Sequence, residues 1–260
     1  MRLNFMTYTL GVLALCIALA GSVYAADKEK TAYQAPSYAV KSIYERPYSL
    51  TESNIDKTLL KRNTFLLVGA GVATMGILYL MPSSFTNWED DGKNPFSKWW
   101  DNVTDGPVWD EDDLFLNYIA HPYCGAIYYM GARSAGANAF ESFLYSFALS
   151  TFFWEYGIES FAEVPSIQDL IVTPVGGAIV GEGFYLAKRH IYENDGKLMN
   201  SEVLGSTAVF LMDPMTEITN YIWDEDEQKE LAEHAFSLQA QPIMTRNGGM
   251  GYGISLSFAF

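Results

Sequence analysis

Between residues 117 and 182 the chain places His121, Arg133, Glu155, Glu159, Asp169 and Glu182 in otherwise apolar segments punctuated by Gly and Ser. An ionisable group in such surroundings loses its water at high cost, so each must be paired, capped, hydrated or put to chemical use. That requirement limits the fold more than any motif does. The expectation is a helical middle third whose charged side chains turn inward toward one another.

The punctuation gives the helices. Pro122 suits a first helical position and opens a helix running past Arg133 toward Gly136. A second covers residues 139–161, with Ser142, Ser146 and Ser150 repeating every four residues along one close-packing face. A third starts after Pro165, carries Pro174 as a kink, and holds Gly177 and Gly181 one turn apart. A fourth spans residues 203–222, interrupted at Asp213-Pro214. Upstream, the apolar run 63–81 ends at Pro82 and reads either as a membrane span or as a buried helix. Lys57, Lys61 and Arg62 precede it while Glu89, Asp90 and Asp91 follow. In an exported chain that order opposes the positive-inside preference and argues against an ordinary inner-membrane span.

Residues 1–25 read as a secretory signal: Arg2, then an apolar stretch, then Val23-Tyr24-Ala25 as a small-x-small cleavage site. Leu15 before Cys16 does not fit a lipoprotein signal. The formal charge of −15 becomes −16 once Arg2 leaves the 16 basic residues that face 31 acidic ones. Such a chain lacks the basic patch that nucleic acid or anionic lipid requires. The mature chain would keep Cys124 alone, with no internal disulfide, and a buried inert thiol is the preferred reading. Residues 26–62 form a polar arm. Residues 88–113 read as a loop rich in Trp and acid, suited to a membrane–water boundary. Asp101, Asp105, Gly106 and Asp112 there follow a calcium-loop spacing, but Val103 and the missing final Glu break it. At the other end, Tyr252, Ile254, Leu256, Phe258 and Phe260 alternate with small residues as one apolar strand face. Asn247-Gly248-Gly249 would turn it back on a strand within residues 235–244.

Each central residue carries a plain structural role beside a chemical one. His121 precedes Pro122 and can cap the helix start. Arg133 needs carboxylate partners. Glu155 and Glu159 share a helix face, an arrangement open to acid–base work, a metal, or an Arg133 clamp. No His stands at a Glu-x-x-His spacing, so no metal ligand and no cofactor is assigned. Ser166-Ile-Gln-Asp169 matches a capping box. For Glu182 a salt bridge to Arg133 leads, with proton transfer second.

Gly106-Pro107-Val108, Asn117, His121-Pro122, Gly125, Tyr128-Tyr129, Arg133, Trp154-Glu155-Tyr156-Gly157, Glu159, Pro165 to Leu170, Thr173-Pro174 and Gly181-Glu182, in that order, resemble the bacterial family of domain of unknown function 3943. The likeness covers roughly residues 100–190. It implies an exported envelope protein of Gram-negative bacteria and implies no activity.

The expected fold is mainly α: a membrane-associated multi-helix bundle over residues 63–223, then an acidic linker and short C-terminal β-hairpin over 224–260. The expected function is that of a structural or scaffolding protein in the outer membrane or at its periplasmic face, with membrane lipid as partner. The hairpin offers a contact for a second copy or another envelope protein, although docking on the helices is preferred. The alternative is a membrane-embedded enzyme acting on lipid or another envelope substrate through His121, Glu155 or Glu159, with Arg133 holding the substrate.

Overall fold

A computed structural model describes residues 43–80, 94–109, 114–223, 237–244 and 250–257. The signal segment, residues 26–42 of the arm and the acidic linker 224–236 lie outside these. The described chain is mainly helical, with helices α1 Lys57–Leu80, α2 Pro95–Thr104, α3 His121–Arg133, α4 Ala139–Ala148, α5 Ile167–Glu193, α6 Glu202–Met212 and α7 Pro214–Trp223. It divides into two compact units at Thr219. In the second unit, strand β1 Ser237–Met244 pairs antiparallel with β2 Met250–Ser257, Ser237 opposite Ser257 and Met244 opposite Met250.

The first unit is organised on α3 and α5. His121 lies beside Thr173, Gly125 beside Thr173 and Gly177, Tyr129 beside Gly181, and Arg133 beside Glu182. Partner numbers rise together, so the two helices run parallel. Their backbones touch because neither carries a Cβ at the crossing. A methyl on Gly125 would overlap the Thr173 carbonyl, and one on Gly177 would overlap the Gly125 backbone. Small residues at a helix crossing permit such an approach.

α4 continues through a π-helical stretch, Leu149–Ile158, into a 3₁₀ turn, Glu159–Phe161, so the helical path runs unbroken over residues 139–161. It lies antiparallel on the α3/α5 pair and fastens Ser146 Oγ to the Gly125 carbonyl at 2.9 Å. Asn138 caps its start with a reciprocal bond to Glu141. The preceding turn needs Gly136 at φ +94°, where a side chain would also strike the Asn54 carbonyl. Apolar packing completes the core around Leu67, Ile127, Leu149, Phe210 and Met215, and around Tyr44, Leu59, Met130, Ala135 and Tyr185.

Polarity in this bundle is turned inside out. On α5, Asp169, Thr173, Gly177, Gly181, Tyr185 and Lys188 form a buried stripe, while Ile171, Val175, Ile179 and Leu186 form an exposed one on the opposite side. On the α4 run, Ser142, Ser146 and Ser150 are buried and Phe140, Leu144 and Phe152 are exposed. α1 buries Asn63 and Thr74 and exposes Phe65, Val72 and Ile77. A helix on the surface of a water-soluble protein shows the reverse arrangement.

Three expectations need correction. The helix read over residues 63–81 begins at Lys57, so Lys57, Lys61 and Arg62 belong to it rather than to its flank. Residues 43–56 are no free linker: Asn54 and Asp56 donate their amides to Gly136 and Ala135, and Tyr44 is buried. Within the Trp-rich stretch, residues 95–104 are helical, capped by Asn94, with Trp99 Nε1 donating to the Tyr156 carbonyl at 2.8 Å. Pro95 at the first helical position and Asn94 before it are the local cause. Asp101 therefore sits inside a helix, which is incompatible with its opening a calcium loop. Asp112 lies outside the described residues.

Candidate functional site

The structure sorts the predicted residues into two separate groups. His121, Glu155, Glu159 and Asp169 gather at one end of the α3/α5 pair, and Arg133 and Glu182 meet at the other. Arg133 lies twelve positions after His121 on α3, which is about 18 Å along a helix axis. The clamp of Arg133 on Glu155 and Glu159 therefore does not form.

The first group is assembled by irregular backbone. A π-helical turn, Leu116–Ala120, runs without a break into α3, so His121 is a helical residue rather than a cap and Pro122 lies inside the helical path rather than at its start. The Leu149–Ile158 π-stretch and the 3₁₀ turn set Glu155 and Glu159. Ser166 caps α5 by accepting from the Asp169 amide at 3.2 Å. Val108 straps that cap, donating to the Pro165 carbonyl and accepting from the Ile167 amide, each at 2.9 Å. The Asp169 carboxylate faces the histidine, with Oδ1 3.3 Å from His121 Nε2. On the far side of the ring, His121 Nδ1 lies 2.9 Å from Thr173 Oγ1. Glu155 Oε2 accepts from the Ser166 amide at 3.2 Å. All four side chains are buried.

The second group is a clamp. Arg133 Nε meets Glu182 Oε2 at 2.9 Å and Arg133 Nη2 meets Oε1 at 3.0 Å, a bidentate pair. The remaining guanidinium donors reach the carbonyls of Ala137 and Ser49 at 2.9 and 2.8 Å. Tyr129 donates its hydroxyl to Glu182, and the guanidinium carbon stands 4.0 Å from the centre of the Tyr185 ring. One side chain thereby joins α3, α5, the α3–α4 turn and the arm.

A third group escaped the sequence reading. Lys188, on α5 and wholly buried, meets Asp213 Oδ2 at 2.7 Å and Glu217 Oε1 at 2.9 Å. Asp213 Oδ2 also accepts from Ser134 Oγ at 2.5 Å, and Ser134 bonds the Tyr44 hydroxyl at 2.7 Å. Burial raises the Tyr44 phenol above its ordinary range. Asn63 extends the polar core, donating to the Gly131 carbonyl at 2.9 Å and to Thr216 Oγ1 at 3.0 Å, and accepting from Thr219. The sequence signal for this network is Asp213 in the middle of an apolar run, a position that also suits a helix break.

Comparison with known families comes down to one segment. Residues 106–215 match the model of a family described as a domain of unknown function, DUF3943. That segment contains His121, Arg133, Glu155, Glu159, Asp169 and Glu182, together with Lys188 and Asp213 of the third group. No curated protein and no solved structure matches the chain. The resemblance read from the residues thus has a family-level counterpart over this segment, and it carries no reaction.

Proposed function

We propose that this protein is an exported structural component of the Gram-negative cell envelope. Its helical bundle is embedded in a membrane, and its buried polar groups lock the helices in register. One observation carries the reading: the bundle hides its charges and displays its large apolar side chains. Lys188 has no exposed surface, whereas Ile179 is 73% exposed and Phe65 70%. In water that arrangement forfeits burial worth about 1.5–3 kcal/mol for each such apolar residue. In lipid it is the arrangement expected, because apolar faces meet acyl chains and polar groups must find partners inside. α5 is 27 residues long, about 40 Å, and only 28% of its most apolar window is buried against the rest of the chain. A bilayer hydrocarbon core is about 30 Å thick.

The enzyme alternative draws on the convergence of His121, Glu155, Glu159 and Asp169. Against it, those groups are buried, and Arg133, the intended substrate clamp, is fully engaged about 18 Å away. A scaffold accounts for both groups without a substrate. The outer membrane or its periplasmic face is the proposed location, with lipid as the partner of the exposed stripe. The C-terminal strand pair supplies an edge for a second copy or another envelope protein.

Gradient fractionation of envelopes followed by carbonate extraction tests the reading. The protein should stay with the outer-membrane pellet after the carbonate wash. Release into the soluble fraction would refute the embedded bundle.

A further inference from the structure

We infer that His121, Glu155 and Asp169 form a structural site for one divalent transition-metal ion of the Zn²⁺ or Mn²⁺ class. One ligand atom from each of the three residues lies within 4.8 Å of the other two, and all three residues are buried. They come from three separate pieces of chain: the start of α3, the π-stretch, and the first turn of α5. An ion held among them would fasten those pieces together.

The supporting contacts resemble those of a ligand set. Metal-bound imidazoles are usually oriented by a hydrogen bond at the other ring nitrogen. Here Thr173 Oγ1 sits at His121 Nδ1 and leaves Nε2 directed at Asp169. Glu155 is oriented by the Ser166 amide. Glu159 adds an independent pointer toward a ligand. Its Oε2 is buried with no hydrogen-bond partner among the described residues. A buried carboxylate oxygen in that state requires a proton donor or a cation. The backbone also fits, since π-helical segments are rare and concentrate at functional positions. Here one ends immediately before His121 and the other carries Glu155.

Donor chemistry narrows the ion. One imidazole nitrogen with carboxylate oxygens suits Zn²⁺, Mn²⁺ or Fe²⁺ better than Ca²⁺ or Mg²⁺, which favour all-oxygen sets. A tetrahedral centre with bonds of about 2.1 Å places its ligands about 3.4 Å apart. The present spacing, up to 4.8 Å, would shorten by about 1.4 Å at its widest on binding an ion. The ion would be structural because its ligands are shut away from solvent. The inference is independent of the membrane reading.

The test uses the full chain purified in detergent. After treatment with a chelator, Zn²⁺ alone or Mn²⁺ alone is added, and bound metal and thermal unfolding are measured. The expected result is about one equivalent per chain for at least one of the two ions, with Tm rising by about 5 °C or more. Glu155→Gln and Asp169→Asn should each weaken binding about tenfold or more. Glu182→Gln should lose stability at the other end of the bundle and keep the metal. Less than about a tenth of an equivalent for both ions with no rise in Tm would overturn the site. So would retention of wild-type binding by Glu155→Gln and Asp169→Asn. If either variant fails to fold, the wild-type titration decides alone.

Discussion

Lys188 offers the strictest test of the idea that buried charges hold this bundle together. Its ammonium is wholly buried and lies 2.7 Å from Asp213 and 2.9 Å from Glu217, two carboxylates that are themselves buried. Lys188→Met keeps most of the side-chain volume and removes the positive charge. Two acidic groups then share a dry space without the cation between them. Breaking a buried pair in this way costs about 3–5 kcal/mol, mostly from the charge left behind. For a chain of this size each kcal/mol moves Tm by about 2–4 °C, so the loss is on the order of 10 °C. The assay is thermal unfolding in detergent followed by circular dichroism. Adding Asp213→Asn to Lys188→Met should recover part of the loss, because one of the stranded charges is removed. A shift below about 2 °C in the single variant, or a double variant less stable than the single one, would refute the reasoning.

Other outcomes follow from the same geometry. Gly125→Ala should force α3 and α5 apart and cost about 1–3 kcal/mol, whereas Gly183→Ala, with open space around its Cβ position, should be neutral or slightly stabilising. Denaturant midpoints compare the two directly. Arg133→Ala should cost on the order of 3 kcal/mol, and Arg133→Lys should recover little of it. A lysine cannot reproduce the fork that reaches Glu182, Ala137 and Ser49 together. Equal stability of Arg133→Lys and wild type in a denaturant titration would contradict the clamp.

What the sequence displayed best was local. Pro165-Ser166 and Asp213-Pro214 mark real helix boundaries because proline and a capping side chain act within one turn of backbone, whereas Pro122 lies inside a helical path that begins upstream of it. The serine and glycine repeats marked buried faces because four-residue spacing is a helix property. Partnership between distant residues was far less visible. Arg133 and Glu182 could be paired by elimination of charge, yet nothing near Lys188 pointed to Asp213 and Glu217. At the end of an apolar helix, Lys188-Arg189 looks like a solvated terminus, and only the tertiary fold turns Lys188 inward. Spacing along one helix shows only ligands that share that helix. The histidine that meets Glu155 arrives from another helix through a π-turn, a device with no clear mark in the sequence.

The central claim is that the outward stripe of α5 faces lipid. A nitroxide attached at Ile179→Cys, in a Cys124→Ala background reconstituted into vesicles, measures this most directly through its relative accessibility to oxygen and to a water-soluble nickel chelate. Ile179 is the most exposed of the four stripe residues. The account predicts strong oxygen relaxation and little effect of the chelate. A label relaxed chiefly by the chelate would place that face in water and contradict the account.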